Sequence, residues 1–218
     1  MKRTMVFGAI TVSAALAGSI AIYGPELWAG YRFMQAVDQR DATYQANGGA
    51  WPQLQDTCAL CHGANGQPRD AQYAALAGQP AAYIENQLRA FSEGRRHNAQ
   101  MQPLAANLTD EQIKRLASYF AEQQPGVTEV PAKDDALDQR GQRVVAANGC
   151  AACHGEKLSG GPLAPPIAGQ GQLYLSDQLS AFKRGQRNDP TQAMNAMAGT
   201  LSDEDIKAVA HYLAKLNP

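Results

Sequence analysis

Apolar residues recur at helical spacing through most of this chain. Ile84, Leu88 and Phe91 fall at i, i+4 and i+7, which places them on one face of a helix. Ile113, Leu116, Ala117 and Phe120 form a second such stripe, and Ile206, Val209, Ala210 and Leu213 a third. Thr109 followed by Gln112 is a capping-box signature. Ser202 ahead of Asp203-Glu204-Asp205 suits the start of the matching helix. Gly94 and Gly185 stop the helices that precede them. No alternating strand pattern appears, so the expected fold class is all-α. The stripes read as helix core.

The stripes belong to an internal repeat. Cys58 maps to Cys150 at an offset of 92, and Ala77-Gly78-Gln79 to Ala168-Gly169-Gln170 at 91. Ile84, Leu88 and Phe91 map to Leu175, Leu179 and Phe182 at 91, and Leu108-Thr109-Asp110-Glu111 to Leu201-Ser202-Asp203-Glu204 at 93. An offset this constant implies two copies of one fold. The run from Gln124 to Pro131, with its prolines and glycine, reads as the linker. The expected organisation is therefore 1–25 as an N-terminal apolar segment and 26–47 as a tether, for which a helix is one reading. Copy 1 follows at 48–124, the linker at 125–132 and copy 2 at 133–218.

At the N-terminus, Lys2 and Arg3 precede an apolar run from Met5 to Tyr23. One reading is a cleavable secretory signal with Ala15-Leu16-Ala17 as the cleavage site. The other is a retained transmembrane helix. Its 19 or so residues would span roughly 28 Å, with Trp28 and Tyr31 at the interface. The continued apolar character after Ala17 favours the inner-membrane anchor, with a soluble periplasmic protein as the alternative. Both put the rest of the chain in the periplasm. Leu27, Tyr31, Met34 and Val37 are spaced for one face of a helix in the tether.

Composition narrows the function. The formal net charge is -1 over 218 residues, so nothing points to nucleic acid. All four cysteines lie in two pentapeptides, Cys58-Ala-Leu-Cys61-His62 and Cys150-Ala-Ala-Cys153-His154. C-x-x-C-H is the attachment signal for c-type haem. Two thiols bond the haem vinyl groups and the adjacent His is placed to ligate iron. Zinc would need a fourth ligand near each motif, and a thioredoxin-like pair would need a preceding strand. Counting alone leaves disulfides open. Two covalently bound haem c groups are expected, with His62 and His154 each an axial ligand.

The second axial ligand must come from later in each copy, and methionine is a usual choice. Met101 lies seven before Leu108, and Met194 seven before Leu201. The register therefore selects Met101 and Met194, while Met197 maps to Leu104. His97 is a weaker candidate, and both it and His211 are better read as surface or satisfied histidines. Arg96 and Arg187 correspond across the copies, as charge-assisted partners for haem propionates or as solvated arginines. Tyr83 and Tyr174 also correspond, and either line the haem crevice or simply pack.

The run Cys-x-x-Cys-His-Gly, Ala-Gly-Gln, Tyr-Ile/Leu-x-x-Gln-Leu-x-x-Phe, Gly-x-Arg, Met and Leu-Thr/Ser-Asp-Glu, at 58–120 and again at 150–213, resembles the cytochrome c4 family. The resemblance implies two tandem class I cytochrome c domains about a pseudo-twofold axis, each with His/Met haem. It implies periplasmic electron transfer from a quinol-oxidising bc1-type complex to a terminal haem-copper oxidase (cbb3 or aa3 type). There would be no small-molecule substrate and no catalysis by the chain itself. A second role fits the same residues: the electron-accepting subunit of a periplasmic dehydrogenase, such as a sulfide-oxidising flavocytochrome. One departure stands out. The family carries a proline whose carbonyl orients the axial His. Copy 2 has Pro165 there, but copy 1 has Ala74, so a different carbonyl or a different loop is expected for His62.

Overall fold

The computed structural model describes residues 2–46, 52–161 and 164–218, with side chains from residue 19 onward. Among the described residues every regular element is helical. The chain forms two compact units, 1–53 and 54–218.

The first unit is one helix, α1 (Lys2–Ala46), which continues unbroken through Pro25. The tether is thus helical, and Leu27, Tyr31, Met34 and Val37 are all exposed along it. Among the described residues no helix is long and apolar enough to cross a membrane. The expected anchor falls largely on residues up to 18, whose side chains lie outside the described set.

The second unit holds both copies. In copy 1 a 3-10 turn (Leu54–Thr57) leads into the short α2 (Ala59–His62). Then come α3 (Ala81–Ser92), α4 (Met101–Ala106) and α5 (Asp110–Ala121). Copy 2 begins with α6 (Asp135–Ala147), then α7 (Ala151–His154), α8 (Gln172–Lys183), α9 (Ala193–Gly199) and α10 (Asp203–Ala214).

The apolar stripes become the core, as helix amphipathicity requires. Ile84, Leu116, Ala117 and Phe120 are buried together between α3 and α5. Leu175, Val209, Ala210 and Leu213 form the equivalent cluster of copy 2, joined by Val145 of α6. Both capping boxes exist, Thr109 with Gln112 and Ser202 with Asp205. Each satisfies two orphan backbone donors. Gly94 and Gly185 take φ of +71° and +66° just beyond α3 and α8, a conformation that suits glycine. They turn the chain so that Arg96 N donates to Ala90 O at 2.9 Å and Arg187 N to Ala181 O at 3.1 Å.

In copy 2, α6 crosses α10 closely enough that a Cβ on Gly141 would lie 2.2 Å from Ala208 O. Asp134 caps α6 by accepting from Ala136 N and Leu137 N.

Candidate haem sites and the interface between copies

The C-x-x-C-H sequence folds as a single helical turn in both copies. His62 N bonds Cys58 O at 2.9 Å, and His154 N bonds Cys150 O at 3.0 Å. This turn carries both thiols and the imidazole on one short element. All four cysteines are free. Burial pushes the Cys58 and Cys150 thiols above their ordinary pKa.

In copy 1 these side chains open on a cavity of about 390 Å³. Cys58, Cys61, His62 and Met101 all line it, so residues 40 positions apart in sequence meet on one void. Leu54, Ile84, Leu88, Phe91, Leu116 and Phe120 supply apolar walls. Met101 arrives because Asn98 Oδ1 accepts from Met101 N at 2.8 Å, fixing the first turn of α4. In copy 2, Asp189 performs the same service for α9, accepting from Ala193 N at 3.0 Å. Met194 follows one residue later and is half-buried, as is Met197.

Each histidine is oriented by a backbone carbonyl. His62 Nδ1 lies 2.8 Å from Ala74 O, and His154 Nδ1 lies 2.7 Å from Pro165 O. With Nδ1–H donating, Nε2 is left with its lone pair for a metal. Burial lowers both imidazole pKa values, His62 further through Arg96, which keeps the rings neutral at pH 7. The expectation of a different carbonyl in copy 1 is corrected, while the loop does differ, with 12 positions from His62 to Ala74 against 11 from His154 to Pro165. Ala74 presents its own carbonyl where proline does in copy 2, because the acceptor is a main-chain atom that any residue supplies.

The copies meet through a reciprocal polar network. Arg96 and Arg187 face each other in an isolated antiparallel bridge. Arg96 donates to Gln87 Oε1, to Tyr174 OH at 3.2 Å and to Gln178 Oε1. Arg187 donates to Gln178 Oε1, to Tyr83 OH at 2.9 Å and to Gln87 Oε1. Each guanidinium also stacks over its own copy's ring, Phe91 or Phe182, at 4.5 Å. Neither has a carboxylate partner among the described residues, yet Arg187 is only 8% exposed. Although burial alone would raise the Tyr174 phenol, the two arginines lower it. Two facing cations with only neutral partners suit an anionic ligand group, and Arg96, Tyr83 and Tyr174 also line the copy 1 cavity. The donors, thiols, apolar walls and cations fit a haem with its propionates.

The other histidines separate. His97 is exposed at the cavity rim. His211 is not on the surface: it is 3% exposed on α10, with Nε2 3.4 Å from Asp138 Oδ1 of α6. Sequence reading missed this contact because α6 carried no motif.

Comparison with known proteins agrees with this geometry. The cytochrome c family model matches residues 52–124 and again 139–217. The chain is 35% identical over 193 residues to the thiosulfate dehydrogenase electron acceptor of Stutzerimonas stutzeri, covering 84% of this chain and 89% of that protein. It is 35% identical over 191 residues to cytochrome c4 of Thiocapsa roseopersicina, covering 84% and 95%. The crystal structure of reduced recombinant cytochrome c4 from Pseudomonas stutzeri superposes with a TM-score of 0.67 at 28% identity, covering 74% of this chain and 94% of that one. The chain therefore belongs to the cytochrome c family and, within it, to the dihaem cytochromes c4. It is an electron-transfer cytochrome carrying covalently bound haem c.

Proposed function

We propose that this chain is a periplasmic two-haem relay that takes single electrons from a dehydrogenase and passes them to a terminal haem-copper oxidase. The observation that carries the relay reading is the meeting of Cys58, Cys61, His62 and Met101 on one cavity. Cys58 and Cys61 would hold one haem through thioether bonds, with His62 and Met101 as its iron ligands. Cys150, Cys153, His154 and Met194 would do the same for the second.

Haem c supplies a one-electron ferric/ferrous couple when bound. The protein's part is to make that exchange inexpensive. With a His and a Met each holding the iron, the exchange would need no ligand to bind or leave. Apolar walls exclude water and, with Met ligation, favour the reduced form. Arg96 and Arg187, which face each other at the interface, would pair with the propionates.

The dehydrogenase donor is supported by the Stutzerimonas relative, a thiosulfate dehydrogenase electron acceptor, at 35% identity. A bc1-type donor rests on the family resemblance alone. The chain acts as a carrier, not as a catalyst. The N-terminal apolar run supplies export. The intact mass of the haem protein reads whether it is retained as an anchor or removed after Ala17.

Spectroelectrochemical titration tests the site reading. Two haems, each with the far-red band of methionine-ligated ferric iron and no carbon monoxide binding when reduced, are expected. Loss of that band from either haem overturns the ligand set. Stopped-flow reduction by a thiosulfate-oxidising dehydrogenase, set against a quinol-oxidising complex, tests the donor. Faster reduction by the quinol-oxidising complex overturns the dehydrogenase reading.

A further inference from the structure

The Ala-Gly-Gln motif occurs in both copies, and its glutamines reach across the interface. Gln79 and Gln170 are each 5% exposed. Gln170 grips Ala75 twice: Ala75 N donates to Gln170 Oε1 at 2.9 Å, and Gln170 Nε2 donates to Ala75 O at 2.8 Å. Ala75 directly follows Ala74, whose carbonyl orients His62.

The symmetric grip fails in the other direction. Gln79 faces Pro166, which has no N–H to give. Gln79 Nε2 makes only a long contact to Pro166 O at 3.4 Å and another to Ala75 O at 3.5 Å. Gln79 Oε1 is buried with no partner among the described residues.

We propose that Gln170, carried by copy 2, is the positioning residue for the axial His62 of copy 1. It rests on the haem ligation given above. The carbonyl that orients His154 belongs to Pro165 and is followed by Pro166. Proline fixes φ at both positions, and the residue before a proline is further restricted. That segment is held stiff by its own covalent structure. Ala74-Ala75 has no such constraint and would lose more conformational entropy on ordering. Two buried hydrogen bonds from the opposite copy supply the rigidity that proline supplies locally. In consequence the His62 site is tied to the integrity of the interface, and the His154 site is not.

The direction follows from ligand chemistry. A carbonyl accepting from Nδ1–H raises the basicity of the imidazole and so favours ferric iron. Loosening Ala74 weakens that effect and shifts copy 1 toward the reduced form.

Gln170→Leu in the full haem protein removes both bonds at similar volume. The expected result is a shift of one haem's equilibrium toward reduction by roughly three- to tenfold, at most ~59 mV for a one-electron couple. Amide exchange at Ala75 should quicken as well. Met101→His identifies which potential belongs to copy 1. Gln79→Leu is the control, and it should leave both potentials in place. Should Gln170→Leu fail to take up both haems, Gln170→Asn withdraws the amide by one methylene and gives the same readout. Unchanged potentials, equal shifts of both haems, or an equal effect of Gln79→Leu would each overturn the proposal. A wild-type protein lacking two methionine-ligated haems would instead refute the underlying site reading.

Discussion

At the residue scale, the choice between Met194 and Met197 is the sharpest test of the repeat. Both are half-buried on α9, so burial does not separate them. Register does, because Met194 matches Met101. Met194→Ala is expected to abolish the far-red band of one haem and lower its potential by on the order of 0.1 V, within the ~0.8 V that axial ligands span. Met197→Ala should leave both unchanged. Ala74 carries the complementary lesson. From sequence, a missing proline implied a changed partner for His62. In the fold, the carbonyl sits 2.8 Å from Nδ1 regardless, because main-chain geometry does not depend on the side chain once the loop is held.

Elements show where local sequence was sufficient and where it was not. The capping box of α5, the Ser202 start of α10 and the glycines ending α3 and α8 were legible, since each involves neighbours in the chain. In α10, hydrogen bonds from Ser202 and then Arg140 hold the Asp205 carboxyl below its ordinary pKa. A depressed carboxyl adds stability above its unfolded value, and that stability is lost as pH falls through the folded value. Asp205→Asn should thus melt lower than wild type at pH 7, with the two curves converging under acid conditions, as read by Tm against pH. The crossing of α6 on α10 was not legible, because Gly141 looks like an ordinary helix interior residue. A Cβ there would lie 2.2 Å from Ala208 O and 2.6 Å from Tyr212 Cβ. Gly141→Ala is expected to destabilise copy 2 by about 1–3 kcal/mol, despite the better helix propensity of alanine, as measured by urea unfolding of the haem protein.

For the molecule as a whole, the interface between copies is where function and stability meet. Arg187 is nearly buried and bonds Gln178 in its own copy, and Tyr83 and Gln87 in the other. Arg187→Leu leaves Tyr83 OH without its arginine donor and Gln87 and Gln178 with Arg96 alone. It should cost about 2–3 kcal/mol and split one unfolding transition into two, followed by circular dichroism together with haem absorbance. A single unsplit transition at the wild-type midpoint would mean that the network contributes nothing to joining the copies.

The sequence by itself determined the haem count, the helical class and the two-copy architecture, and its register is what selects Met101 and Met194 as the proposed ligands. Those follow from short covalent spacings and from periodicities that act within one turn or one helix. Only the tertiary structure decided which side chains face one another between copies. There Arg96 and Arg187 meet and Gln170 grips Ala75, and within copy 2 His211 sits buried against Asp138. The contacts between copies join residues more than 90 positions apart, and they arise from how two similar surfaces pack. A repeat shows that the surfaces are similar but carries no record of how they are opposed, so the C-x-x-C-H pairs announce two haems while the fold alone makes one site depend on the other copy.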